Sequence, residues 1–233
     1  MLPQMIDPRR AEHAADVSPR VSIQRNLYLR YGKRALDVLF SSLGLMLLFP
    51  AFVFVAPWIK LTSRGPVFFR QIRIGQNGRP FSIVKFRSMV LDAPERGLGL
   101  TISGDRRVTP VGKFLRRYKI DELPQLWNVL RGELSLVGPR PELPIYVALY
   151  TRDQRRVLSV RPGITDPASL AYRNEEKILA SQAEPEQFYV SQILPDKLAQ
   201  NIDYLRQVSF RNDLGIILRT IVSSVCILEI TQD

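Results

Sequence analysis

From Val38 through Ile59 the chain carries no charged residue (VLFSSLGLMLLFPAFVFVAPWI). As a straight helix this run would be roughly 33 Å long, enough to cross a hydrocarbon core of about 30 Å. Pro50 interrupts it. The proline removes the hydrogen bond to the carbonyl of Met46 and divides the run into arms of about 18 Å and about 13 Å, each suited to one leaflet. Basic residues stand at both ends: Arg25, Arg30, Lys33 and Arg34 before the run, and Lys60, Arg64, Arg70, Arg73, Arg79, Lys85 and Arg87 after it. Positive flanks favour the cytoplasmic side, so both ends belong there. A bent, re-entrant membrane helix with its kink at Pro50 fits these features, while a spanning helix and a buried core helix stay open.

The remaining composition narrows the chemistry. Against 22 acidic residues stand 33 Lys and Arg, a net charge of +11, so the partners are anionic: lipid headgroups, nucleic acid or phosphorylated small molecules. The single Cys, Cys226, excludes a disulfide framework and reads as a buried thiol in an apolar stretch. The single His, His13, lies in a polar arm, which leaves Ser-His-Asp, Cys-His and His-ligated zinc chemistry without their parts. Carboxylates, Lys or Arg must carry any catalysis. Residues 1–30 hold three prolines and little periodicity, and read as a mobile basic arm rather than a signal peptide.

Past the apolar run, two β-rich stretches surround Gly75-Gln76-Asn77-Gly78, a hairpin signal. Alternation in the second puts Ile83, Lys85 and Arg87 on one face and Val84 and Phe86 on the other. That basic face is either solvated or anion-facing. VGKFLRRYK, Val111 to Lys119, has helical spacing with Val111, Phe114, Leu115 and Tyr118 on one side, suited to a protein core or an anionic membrane surface. Helical patterns recur around Pro185–Tyr204 and from Asp213 onward. In the latter Leu214, Ile217, Leu218, Ile221, Val225 and Leu228 form an apolar stripe, fit for core packing, membrane docking or a homodimer seam, while Arg219 and Glu229 argue against a second span. Neither an internal repeat nor a Gly-rich nucleotide fingerprint is present.

KIDELPQLWNVLRGELSLVGPRPE sets Asp121 and Glu122 directly after Arg116, Arg117 and Lys119. Pro124 is tolerated in a first helical turn, so a helix is expected here, and Asp121 could simply cap it. A carboxylate among cations also stays ionised and can face an anionic substrate, as phosphoryl chemistry on an Asp nucleophile requires. A divalent cation, typically Mg2+, could bridge such carboxylates to a diphosphate using oxygen ligands alone. Gly138-Pro139-Arg140-Pro141 stiffens the backbone around one guanidinium suited to a bidentate phosphate contact, or forms a turn with a surface arginine.

In this order the residues resemble the bacterial sugar transferases, the monotopic phosphoglycosyl transferases. The resemblance covers roughly Tyr31 to Ile221. It rests on Lys33-Arg34-Ala35-Leu36-Asp37 before the proline-interrupted run, Gly65-Pro66-Val67-Phe68 with Gln71, Lys85-Phe86-Arg87-Ser88-Met89, Asp121-Glu122-Leu123-Pro124-Gln125-Leu126, Asn128-Val129-Leu130, Ser135 through Pro141, and Arg161-Pro162-Gly163-Ile164-Thr165. It differs from many members in having Phe49-Pro50 where they carry Ser-Pro, and Asp166-Pro167-Ala168-Ser169 and then Arg173-Asn174-Glu175-Glu176 where they carry Gly-Trp-Ala-Gln, which leaves the identity of the sugar open.

The resemblance implies an α+β (α/β) monotopic membrane protein of the minimal, single-unit form. Its parts would be a basic arm (1–30), a re-entrant membrane helix (31–64) and a catalytic domain (65–233) bearing surface amphipathic helices and a small β-hairpin. The implied site is the cytoplasmic side of the bacterial inner membrane. The implied reaction moves sugar-1-phosphate from a nucleoside-diphosphate sugar, such as a UDP-sugar, to polyprenyl phosphate, releasing nucleoside monophosphate and opening exopolysaccharide, O-antigen or glycoprotein glycan assembly. Carried onto this chain, Asp121 is the nucleophile that becomes a covalent phospho-sugar, Glu122 is its partner, both border the Mg2+, and Lys85, Arg116 and Arg140 contact phosphate. The rival from another class is a non-catalytic basic scaffold on the inner membrane, binding anionic lipid or nucleic acid. No nucleic-acid motif supports the latter, and a scaffold leaves Asp-Glu beside Gly-Pro-Arg-Pro without a purpose. A second enzymatic rival transfers a different phospho-alcohol to lipid.

Overall fold

The computed structural model describes residues 27–93 and 99–225. Most of the expected basic arm, His13, Cys226, Leu228 and Glu229 therefore lie outside the described residues. A π-helical turn, Tyr28–Gly32, leads into helix α1, Lys33–Thr62. Helical assignment continues through both Pro50 and Pro57, so the break expected at Pro50 is not a break between two elements. Each proline forfeits one N–H donor, but its fixed φ is itself helical, and the apolar residues around it keep the helix going.

Along α1, burial follows a helical period. Asp37, Ser41, Val55 and Ile59 are buried, and Gly44, Leu45, Leu48, Phe52 and Ala56 are half-buried between them. One face thus rests on the rest of the protein along both halves of the helix. The other faces do not: Met46, Phe49 and Phe54 are 67%, 65% and 78% exposed. The first turns are fixed by polar contacts. Arg34 donates to the carbonyls of Val129 and Leu130 (2.6 and 2.8 Å), capping the helix that ends at Leu130, and Asp37 Oδ1 accepts from Ser135 Oγ and Leu136 N (3.0 and 2.9 Å). Lys33 pairs with Asp213, which also accepts from Tyr28 and Tyr204 hydroxyls (2.7 and 2.8 Å). The last turns are fixed by packing, with Val55 and Ile59 in one cluster with Phe86, Val111 and Leu115. Each such aliphatic side chain contributes roughly 1.5–3 kcal/mol on full burial.

Strands β1 (Phe68–Ile74) and β2 (Pro80–Phe86) form the expected antiparallel hairpin, with Phe68 opposite Phe86 and Ile74 opposite Pro80. Its turn places Asn77 and Gly78 at φ of 56° and 75°, the left-handed region that Asn and Gly tolerate. The outer edge of β2 is closed by a side chain. Asn128 Oδ1 accepts from Val84 N (3.0 Å) and its Nδ2 donates to Ser82 O (2.8 Å), so the amide imitates a neighbouring strand. Asn128 belongs to α3 (Gln125–Leu130), which follows α2 (Pro110–Arg117). Thr109 caps α2 through its side chain, 2.9 Å from Gly112 N. Val111, Gly112 and Leu115 face the core, and Phe114 stacks obliquely on Trp58 of α1 at 5.4 Å.

A second, parallel pair joins β3 (Ser135–Val137) to β4 (Gly163–Thr165). Here two backbones touch. A Cβ on Gly163 would lie 2.1 Å from Gly138 N, and one on Gly138 would lie 2.5 Å from Arg161 O, so neither position accepts a side chain. The remaining helices are α4 (Pro144–Val147), α5 (Pro167–Ala171), α6 (Glu175–Ala180), α7 (Pro185–Phe188), α8 (Leu194–Arg206, entered through a π turn at Tyr189–Ile193) and α9 (Phe210–Val225). A core of Leu143, Tyr146, Tyr150, Leu158, Leu179, Tyr189, Ile193 and Leu198 joins α4 to α6 and α8. Of the stripe expected on α9, Ile217 is half-buried beside the buried Asp213 and Ile216, whereas Leu214, Leu218 and Ile221 are exposed, so of its three uses core packing is excluded for those residues. Asp213 sits on the inner face because Lys33, Tyr28 and Tyr204 satisfy it there.

Candidate active site

Helix α2 ends in a left-handed residue, Lys119 (φ 57°), which reverses the chain into a single 3-10 turn, Ile120–Glu122. A non-glycine residue in that region costs about 1–2 kcal/mol and is held only where surroundings dictate it. The reversal turns both carboxylates inward. Glu122 Oε1 accepts from Lys85 Nζ (2.7 Å) and from Arg140 Nη2 (2.5 Å), and Oε2 lies 3.4 Å from Arg140 Nη1. Lys85 is carried by β2, which Asn128 fastens to α3. Arg140 is carried by the loop after β3, which Gly138 and Gly163 press against β4. Asp166, whose carboxylate caps α5 through Ser169 N (3.0 Å), adds negative charge near Arg140.

Asp121 differs sharply from its neighbour. It is 5% exposed, accepts no hydrogen bond from any described residue, and its Oδ1 is completely buried without a partner. It does not cap α3, which starts four residues later at Gln125. Burial, then the charge of Glu122, push its carboxyl above the ordinary range, with Lys85, Arg116 and Lys119 pulling the other way. For Glu122 burial is also the largest influence, but Arg140, Lys85 and Lys119 overcome it and hold the carboxyl well below the ordinary range. The pair is thus split into one locked anion and one unsatisfied carboxylate. Burial lowers Lys85, opposed first by Glu122.

Of the expected phosphate contacts, Lys85 and Arg140 converge on Glu122. Arg116 lies near enough to Asp121 to act on it, yet its guanidinium pairs with Glu176 of α6. Arg87 goes elsewhere: β2 ends at Phe86, and Arg87 Nη2 donates to Ser63 O and Oγ (both 2.8 Å) behind the end of α1. The basic face expected from alternation therefore contributes Lys85 alone. Among the described residues no group of three or more His, Cys, Asp or Glu is arranged to hold a metal. Mg2+ commonly takes only one or two carboxylates, completing its shell with water and substrate phosphates, and the unpartnered Asp121 oxygen is of the ligand type it takes.

Residues 28–226 match the family described as Bacterial sugar transferase. The chain belongs to that family. A UDP-glucose:undecaprenyl-phosphate glucose-1-phosphate transferase of Caulobacter vibrioides is 36% identical over 234 residues, covering 91% of this chain and 79% of that protein. A UDP-N-acetylgalactosamine-undecaprenyl-phosphate N-acetylgalactosaminephosphotransferase of Aeromonas hydrophila is 43% identical over 145 residues, covering 60% of this chain and 34% of that protein. An undecaprenyl-phosphate glucose phosphotransferase of Komagataeibacter xylinus is 41% identical over 196 residues, covering 81% and 35%. The chain thus spans about a third of the length of the last two relatives.

The sequence marked Glu175-Glu176 as a departure from the family pattern without giving it a role; what it did not show is the pairing of Glu176 with Arg116, sixty positions away. Sequence reasoning also missed Arg73, a second cation behind the site. Arg73 donates to Pro141 O (3.2 Å) and Gln71 Oε1 (2.9 Å), and it lies 3.7 Å from Glu142, which Tyr189 hydrogen-bonds at 2.8 Å. Gln71 was legible only as part of the family resemblance, with no role attached.

Proposed function

We propose that this bacterial sugar transferase moves sugar-1-phosphate from a nucleoside-diphosphate sugar, a UDP-sugar by the names of its relatives, to polyprenyl phosphate. Asp121 carries the proposal: it is a buried carboxylate without a hydrogen bond from any described residue, among three cations and beside a carboxylate already neutralised. Asp121 attacks the sugar-bearing phosphorus, the bond from phosphorus to the nucleoside monophosphate oxygen breaks, and the monophosphate leaves with the electron pair. An oxygen of polyprenyl phosphate then attacks the same phosphorus and expels the Asp121 carboxylate. Neither displacement needs a proton, which suits a site with no His among the described residues. Lys85, Arg116 and Arg140 offset the charge that builds on the transferred group and the leaving phosphate, and alignment supplies effective molarity to a weak nucleophile. Asp121 and Glu122 would border a Mg2+, which when bound screens the donor's diphosphate; Glu122 also keeps Lys85 and Arg140 in register.

The membrane segment is re-entrant in this reading, with the catalytic body on the cytoplasmic side of the inner membrane. Support comes from the buried stripe of α1. Its first turns touch α3 and β3, its last turns touch β2 and α2, and a hydrocarbon slab of about 30 Å between those ends would separate one set from the other. The product would open assembly of a polysaccharide or other lipid-linked glycan. The test is to incubate the protein with radiolabelled UDP-sugar and Mg2+ without lipid. Nucleoside monophosphate release and label on the Asp121 peptide are expected, with both lost in Asp121→Asn. Normal turnover by Asp121→Asn would replace the two displacements with direct attack by the lipid phosphate.

A further inference from the structure

Helix α6 begins with two carboxylates that do different work. Glu175 Oε2 accepts from Lys197 Nζ at 2.5 Å, and that buried ammonium also lies 5.4 Å from the centre of the Tyr189 ring, so Glu175 ties α6 to the core. The carbonyl of Glu176 accepts from Ser103 N at 2.9 Å, which fixes its backbone. Its side chain turns the other way, to Arg116.

The Arg116–Glu176 pair is poorly suited to being permanent. Arg116 is 24% and Glu176 46% exposed, a range in which solvent screening leaves an ion pair worth little. Oε2 of Glu176 has no partner among the described residues, and Arg116 is one of the cations acting on Asp121. An anion arriving beside Asp121 can take Arg116, since a phosphate offers a guanidinium bidentate contact. The carboxylate so released stands beside Arg116. It can accept hydrogen bonds from alcohol hydroxyl groups spaced away from the phosphorus, which a nucleotide sugar carries and inorganic phosphate, with only its own P–OH groups, does not.

Resting on the transferase reading above, we propose that Glu176 is a specificity-determining residue that exchanges Arg116 for a donor hydroxyl. Against a simple anion, loss of the ion pair is uncompensated and binding is held down. Against a nucleotide sugar, new hydrogen bonds to Glu176 offset that loss. The hydroxyl belongs either to the transferred sugar or to the ribose; both present the same chemistry.

Isothermal titration of the full chain in detergent micelles, with inorganic phosphate, uridine monophosphate and glucose 1-phosphate as probes, tests this without turnover. Glu176→Ala frees Arg116 and deletes the acceptor. Phosphate affinity should rise about twofold to fivefold. At least one hydroxyl-bearing probe should gain less than phosphate or lose affinity; uridine monophosphate doing so identifies the ribose, glucose 1-phosphate the sugar. Glu176→Asp retains the charge and should bring phosphate affinity back toward wild type. Unchanged phosphate affinity in Glu176→Ala, or an equal gain for all three probes, overturns the proposal. A protein that shows the expected shifts but releases no nucleoside monophosphate from any nucleotide sugar would overturn the transferase reading and leave the exchange standing.

Discussion

Replacing the proposed nucleophile should make the protein more stable. Asp121 is buried, lacks a hydrogen bond, and has its carboxyl raised first by burial and next by Glu122. An acid whose folded value lies above its unfolded value of about 3.9 contributes stability that is complete below that lower value and lost as pH rises through the folded one. The proposed nucleophile works in its ionised form, and in that form the wild type has given that contribution up. Asp121→Asn keeps the shape and removes the charge. Its amide also lacks a partner, but Oδ1 already bears a comparable unsatisfied cost, so the net gain should be about 1 kcal/mol. For a chain of this length that corresponds to a rise in Tm of about 2–4 °C. Thermal unfolding followed by tryptophan fluorescence in fixed micelles, at pH 7.5 and stepwise down to pH 4, would measure it. The variant should lead at pH 7.5 and the gap should close toward pH 4 as the wild-type carboxyl takes up its proton. Glu122 titrates below this window and does not mimic the effect. A variant less stable than wild type at pH 7.5, or a gap independent of pH, would refute the account of Asp121 as a strained carboxylate.

Two further outcomes follow from geometry. With Cys226 replaced by Ser, single cysteines at Leu27 and at Arg79, both exposed, should escape an impermeant thiol reagent in intact cells and react after lysis; labelling of one from outside would make α1 a spanning helix. Gly163→Ala should cost about 1–3 kcal/mol and reduce transfer at least tenfold, because the new methyl meets backbone of the loop that carries Arg140, whereas Gly215→Ala, in open space within α9, should be neutral or stabilising by up to about 1 kcal/mol; equal effects in both would sink this role for the glycine contact.

Local signals in the sequence were dependable. Gly75 to Gly78 announced the hairpin because left-handed backbone needs Gly or Asn, and Asp121-Glu122 stood out through an unusual charge order. What escaped was settled by distant chain. Alternation assigned Arg87 to the face of Lys85, but the strand stops one residue earlier, where Ser63 offers two acceptors. Apolar spacing along α9 left core packing, membrane docking and a homodimer seam open, and the buried face is chosen by Asp213, whose partners Lys33 and Tyr28 are far away in sequence. The pairing of Arg116 with Glu176 has no local signature, since an exposed glutamate near a helix start is ordinary.

The contacts of α1 also set an order of assembly. Ribosomes deliver Lys33, Asp37 and Ser41 early, while Leu136, which completes the hydrogen bonds to Asp37, arrives about a hundred residues later, and Asp213 follows Lys33 by 180. At roughly 5–20 residues per second the helix waits on the order of 10–40 s between its own synthesis and that of its last partner. During that interval its polar stripe has none of its later partners to face. With α1 in the membrane as proposed above, insertion into the bilayer would precede completion of the rest of the chain. A fault in the downstream chain would strand an inserted helix with an unpaired lysine and aspartate, the kind of segment that membrane quality control can recognise.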